Sequence, residues 1–144
     1  MIGIKVLMAF VAGFLTAQVA KLVAAFVKSR GKMTGKEALT WLMRSGGMPS
    51  GHAASFLAVT TYLGCACGFD SAICALALCM SMISIYDAVN VRYAVGEHGK
   101  ILVEHAKRTG GKKPSRIVEG HTVPQVTVGG LLGMLIGWLI FVIF

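Results

Sequence analysis

Apolar residues run along the chain in four long stretches, at about 2–27, 50–69, 71–91 and 122–144. The polar segments between them differ greatly in length. A helix crosses a bilayer with roughly 20 mostly apolar residues at 1.5 Å each. Val126 to Phe144 supplies 19 without a charge and Ala53 to Phe69 supplies 17. The pattern predicts an all-α integral membrane bundle of about four transmembrane helices in one domain spanning 1–144. The helices are expected at about 2–27, 50–69, 71–95 and 122–144, with connecting loops at 28–47 and 97–120. The first stretch reads as a mature helix, because its apolar run of about 6–27 is too long for a secretory signal.

Local signals mark the helix starts. Pro49 before Ser50 reads as a start with Ser50 as N-cap. In "HTVPQ" at 121–125, Thr122 is the expected cap and Pro124 lies in the first turn. Helices two and four would then open at the same membrane face, with their amide N–H groups and positive dipole ends close together. The 97–118 segment lacks a clear apolar period, and a long structureless loop usually has a function. Small residues recur every four positions, as Ala9, Gly13 and Ala17 and again as Gly129, Gly133 and Gly137. That spacing lets helix backbones approach closely in lipid. The partner is either another helix of the chain or a second copy, so a homodimer is compatible with the pattern.

Composition agrees with a membrane protein. Of 144 residues 56% are hydrophobic and 14% charged, against about 25% charged in soluble domains. An all-α soluble bundle is the competing class. The net charge of +8 is concentrated in two segments. Segment 28–47 carries Lys28, Arg30, Lys32, Lys36 and Arg44 against Glu37. Segment 92–120 carries seven basic residues against three glutamates, whereas the second and third stretches are linked with only Asp70. Basic loops stay cytoplasmic, which places both long loops inside, in a bacterial inner membrane. Anionic lipid headgroups suit those loops better than nucleic acid does. Cys65, Cys67, Cys74 and Cys79 lack metal-ligand spacing and read as packing residues, with a disulfide open for Cys65 or Cys67.

Eight polar residues interrupt or flank the apolar runs: Gln18, Lys21, His52, Asp87, Asn90, Arg92, His121 and Gln125. By the topology above, all fall in the cytoplasmic half, where ionisable groups usually face a site or one another. Singly each has a plain reading: Lys21 snorkels, Asp87 pairs with Lys21, His121 caps a helix. Together they are rich in donors and positive charge and suit a phosphate dianion, whose equatorial oxygens need stabilising during transfer. One histidine can attack phosphorus while the other protonates the departing oxygen. Asp87, Asn90 and a histidine form a poor Mg²⁺ cage without a second carboxylate. Ser50 and His52, two residues apart at a helix start, do not present a nucleophile and its base.

Four blocks then carry a resemblance: "AQVAK" at 17–21, "SGGMPSGHAA" at 45–54, "YDAVNVRYAVG" at 86–96 and "EGHTVPQVTVGG" at 119–130. In this order they resemble the small, divergent bacterial and plant branch of the type 2 phosphatidic acid phosphatase and vanadium haloperoxidase superfamily. The resemblance implies a helical membrane phosphatase that needs no metal or other cofactor and acts on a lipid or isoprenoid phosphate. It implies His121 as the nucleophile forming a phosphohistidine and His52 as the acid for the leaving group. Gln125 stands in the place of the acid that orients the nucleophile. Lys21, Ser50, the Gly51 amide and an arginine would hold the phosphate, with Arg92 preferred and Arg116 second; Arg30 falls near the place of a further basic residue. Asp87, Asn90 and Gln18 would support them. Two other classes stay open: a protein that binds or transports lipid phosphate without hydrolysis, and a scaffold whose polar groups only join helices.

Overall fold

The computed structural model describes residues 1–35, 37–38, 46–112, 114 and 120–144. Among them the assigned elements are all helical: α1 (Ile2–Lys28), α2 (Gly51–Cys67), α3 (Ala72–Tyr86), a π-helical turn (Asp87–Val91), α4 (Arg92–Thr109) and α5 (Val123–Ile143). Helix α2 is the centre of the bundle. Helices α5, α1 and α3 pack on it, and α1 also touches α5.

The expected caps form. Ser50 Oγ accepts the Ala53 N–H at 3.4 Å, and Ser71 Oγ does the same for Cys74 at 3.3 Å at the start of α3. At α5, Thr122 and Gln125 form a capping box behind Pro124. The Ser50 N–H donates to the Gln125 carbonyl at 3.0 Å, which ties the first turns of α2 and α5 together.

The bundle inverts the soluble pattern. Its interior is built from small residues such as Ala9, Ala17, Ala54 and Ala58, while Leu7, Leu131, Leu135 and Trp138 face outward. Large apolar side chains turned outward need lipid around them, and small interior residues let backbones gain van der Waals contact. The two small-residue stripes both serve this chain. On α5, a Cβ at Gly129, Gly133 or Gly137 would strike the backbone of Ser50, Ala54 or Ala58 respectively; on α1, a Cβ at Gly13 would lie 2.7 Å from the Ala54 carbonyl. Both stripes lie against α2, along its Ser50–Ala54–Ala58 row, which leaves neither as a seam for a second copy. Helix α3 is joined to α2 differently, through a buried Thr60–Ser81 hydroxyl pair at 2.8 Å.

Among the described residues, three helical runs are long and apolar enough to span a membrane: Ile2–Lys28, the continuous Ala72–Thr109 and Val123–Ile143. Helix α2, with 17 residues, is about 25 Å long and sits at the short end of the spanning range. One expectation is corrected. Residues 97–109, read as loop, continue the third helix to Thr109. The period shows over Arg92–Thr109, which is amphipathic as a whole, and Lys100 pairs with Glu97 and Arg108 with Glu104 along its exposed side. Gly110, in the left-handed region at φ 68°, then ends it. All four cysteines are free thiols.

Candidate functional site

The site lies where the starts of α2 and α5 meet the end of α3 and the last third of α1. His52 is the second residue of α2, and His121 immediately precedes the α5 cap. Their rings stand 6.4 Å apart between centroids, inclined by 65°. Lys21, Arg92 and Asp87 are all within electrostatic reach of the His52 ring, and Lys21 also acts on His121. Lys21 and His121 are buried, at 8% and 3% exposure.

Backbone geometry fixes His121. Its N–H donates to the Ala88 carbonyl at 2.9 Å. Ala88 lies within the π-helical turn, where the Arg92 N–H reaches back to Asp87; such widened turns often occur at functional sites. Gly120 allows this docking, since a Cβ there would strike the Arg92–Tyr93 backbone. On the other side, Gly46 and Gly47 take φ of 90° and 80°, a region open to glycine. The Gly47 carbonyl faces the His121 ring.

Gln125 has two partners. Its Oε1 accepts the Thr122 N–H at 3.1 Å and lies 3.3 Å from His121 Nδ1. Because the Thr122 amide can only donate, that oxygen is an acceptor, and the contact requires a proton on Nδ1. The atom left to act is Nε2. Burial holds the His121 pKa below the ordinary histidine value; the Gln125 and Gly47 acceptors oppose the shift, whereas Lys21 and His52 add to it. The ring is therefore neutral near pH 7, the state a nucleophile needs.

Arg92 is held by Asp87, Nε to Oδ2 at 2.5 Å. The plain alternative for Asp87, a pair with Lys21, is not what forms. Half-exposed, Arg92 stays within electrostatic reach of His52. Gln18 is buried beside Gly51. Ser50 is fully buried and spends its hydroxyl on the α2 cap, while the Gly51 and His52 amides open the first turn. Asn90 is exposed and bonds the Tyr86 carbonyl, so it supports the π-helical turn from outside. Arg30 is exposed in the turn beyond α1, nine residues past Lys21. Arg116 lies outside the described residues. Among the described residues, no group of three or more His, Cys, Asp or Glu is placed to hold a metal ion. The partners that residue types could not announce are backbone carbonyls, those of Ala88 and Gly47; the glycines at 46, 47 and 120 are the only sequence trace of them.

A family profile described as "Divergent PAP2 family" matches residues 3–136. The chain belongs to the divergent PAP2 family. Among relatives, it is 28% identical to the uncharacterized membrane protein YuiD of Bacillus subtilis (strain 168) over 148 aligned positions, covering 90% of this chain and 89% of that protein. No solved structure matches. Family membership, the membrane-protein relative and the outward apolar surface agree on an integral membrane protein of PAP2-like type.

Proposed function

We propose that the protein is a membrane phosphatase that releases phosphate from a lipid or isoprenoid (pyro)phosphate through a phosphohistidine on His121. The observation that carries the reading is the pair of imidazoles from separate helices, 6.4 Å apart, bordered by Lys21 and Arg92. That separation fits one phosphoryl group touched by both rings. Nε2 of His121 attacks phosphorus, and the bond to the ester oxygen breaks. His52 donates a proton to that oxygen, and the alcohol departs. His52 then takes a proton from water, which attacks the phosphohistidine; the P–N bond breaks and inorganic phosphate leaves. Lys21, Arg92 and the first-turn amides of α2 offset the charge on the equatorial oxygens, and Asp87 positions Arg92. The concentration of basic residues in 28–47 and 92–120 supports a site on the cytoplasmic face, in a bacterial inner membrane.

The test uses the protein purified in detergent with EDTA, a panel of lipid phosphates, and phosphate release with and without vanadate. Release that vanadate blocks, and that His121→Ala and His52→Ala abolish, is the expected result. Release undiminished by both variants would overturn the reading. One observation favours a second reading, a binder that does not hydrolyse: the acceptor beside His121 is a neutral amide. That reading expects binding without turnover, retained in His121→Ala and lost in Lys21→Ala or Arg92→Ala.

A further inference from the structure

Helix α4 leaves the bundle with an apolar side uncovered. Its Tyr93, Glu97 and Lys100 line an open polar cleft with Thr122 and Gln125, so that side of the helix faces the start of α5. Val91, Val95 and Leu102, spaced i, i+4, i+11, fall on the opposite side and are 53%, 48% and 57% exposed. The stretch 93–112 carries Lys100, Lys107, Arg108 and Lys112 against Glu97 and Glu104, a net charge of +2. The bundle also marks how far the lipid reaches. On α1 the exposed apolar residues Val23, Phe26 and Val27 continue about 9 Å past Lys21, and Lys28 then ends the helix. Ala88 meets the same site through the His121 N–H, and Val95 lies about 10 Å beyond Ala88 along the helix. The uncovered side of α4 therefore begins at the edge of the hydrocarbon. It runs out through the headgroup layer, which adds about 5–7 Å per leaflet. Leu102, a further ~10 Å on, reaches the outer rim of that layer.

We infer that α4 docks its uncovered side on the anionic headgroups of the leaflet bordering the histidine site. The occupant follows from charge complementarity. A low-hydrophobicity amphipathic helix with a basic polar face lies in the interface of an anionic membrane, its apolar side sunk below the headgroups. Basic clusters just beyond a spanning helix recognise such lipids. On α4, Lys100, Lys107 and Arg108 share the side opposite Val95 and Leu102 at 100° per residue, which is that arrangement. A second copy fits the same side poorly. Two copies inserted in one sense would run their α4 helices in parallel with equal residues apposed, and like charges would then meet at each level. Nothing in this contact requires the site to hydrolyse its ligand.

The test reconstitutes full-length Leu102→Cys into vesicles of phosphatidylcholine alone or mixed equally with phosphatidylglycerol, and follows its reaction with a water-soluble maleimide. The native cysteines all lie within 65–79, so the tryptic peptide Ile101–Lys107 reports position 102 by mass. Modification is expected to be several-fold slower in the anionic vesicles. High salt, which screens exposed charges, should remove the protection, and so should the further changes Lys107→Gln and Lys112→Gln. Equal rates in the two vesicles would overturn the inference. Equal protection in detergent without lipid would overturn it too, because the protein would then cover its own helix. Disulfides between two copies through position 102 in both vesicles would assign the face to a second chain instead. The unsubstituted protein gives a second reading: amide hydrogen exchange across Arg92–Thr109 should be several-fold slower in the anionic vesicles, and exchange indifferent to lipid charge would contradict the docking.

Discussion

Gln125→Glu isolates the acceptor beside His121. Glutamate keeps an oxygen for the Thr122 amide, so the capping box survives, and a carboxylate in the first turn of α5 suits the helix dipole. What changes is the bond to His121 Nδ1, 3.3 Å away. A charge-assisted hydrogen bond is roughly twice a neutral one, which adds on the order of 1 kcal/mol to the protonated ring. That corresponds to about one pKa unit. In the wild type, burial holds the ring below the ordinary value of about 6.5. The acidic limb of the rate profile is thus expected below pH 6.5, because protonation removes the nucleophile as pH falls. In Gln125→Glu the limb should move up by about one unit. The phosphorylated ring is cationic, so the same interaction should raise kcat about five- to tenfold at pH 8. The assay is phosphate release from a lipid phosphate between pH 5 and 9. An unmoved limb with unchanged kcat would refute the orienting role of Gln125.

Gly133→Ala places a methyl against the Ala54 backbone, which cannot rotate away; thermal unfolding in detergent should show a loss of about 1–3 kcal/mol. Thr60→Val removes the Thr60–Ser81 bridge between α2 and α3 and should cost about 0.6–1.7 kcal/mol in the same measurement. Asp87→Asn releases Arg92. Because both partners are about 40% exposed, stability should fall by less than about 1 kcal/mol, whereas KM for a lipid phosphate should rise several-fold with kcat little changed; an unaltered KM would remove Asp87 as the positioning residue.

Much of this was legible in the residues. Apolar length alone announces α1, α3 and α5, and Ser50 and Thr122 mark the starts of α2 and α5 because capping chemistry is local. The convergence of Lys21, His52, Asp87, Arg92 and His121 follows from topology, since each lies at the same end of its stretch. Helix α4 was hidden because its amphipathic period runs across the boundary at residues 95–97, so neither the apolar stretch before it nor the 97–118 segment displays it whole. The partner of the Gly129–Gly133–Gly137 stripe was equally hidden: small residues announce a close approach without saying to what. Asp87 pairs with Arg92, five residues along and one wide turn away across the π-helical segment, and nothing in the residue types announces that widened turn. The carbonyls of Ala88 and Gly47 leave no mark in side-chain chemistry.

The central claim is tested most directly by trapping the intermediate. The protein is mixed with a ³²P-labelled lipid phosphate, quenched within milliseconds in alkali, and digested. The account predicts an alkali-stable, acid-labile label on the peptide containing His121, absent in His121→Ala and persisting longer in His52→Ala. Phosphate release at full rate in His121→Ala, with no labelled peptide at any time, would contradict it.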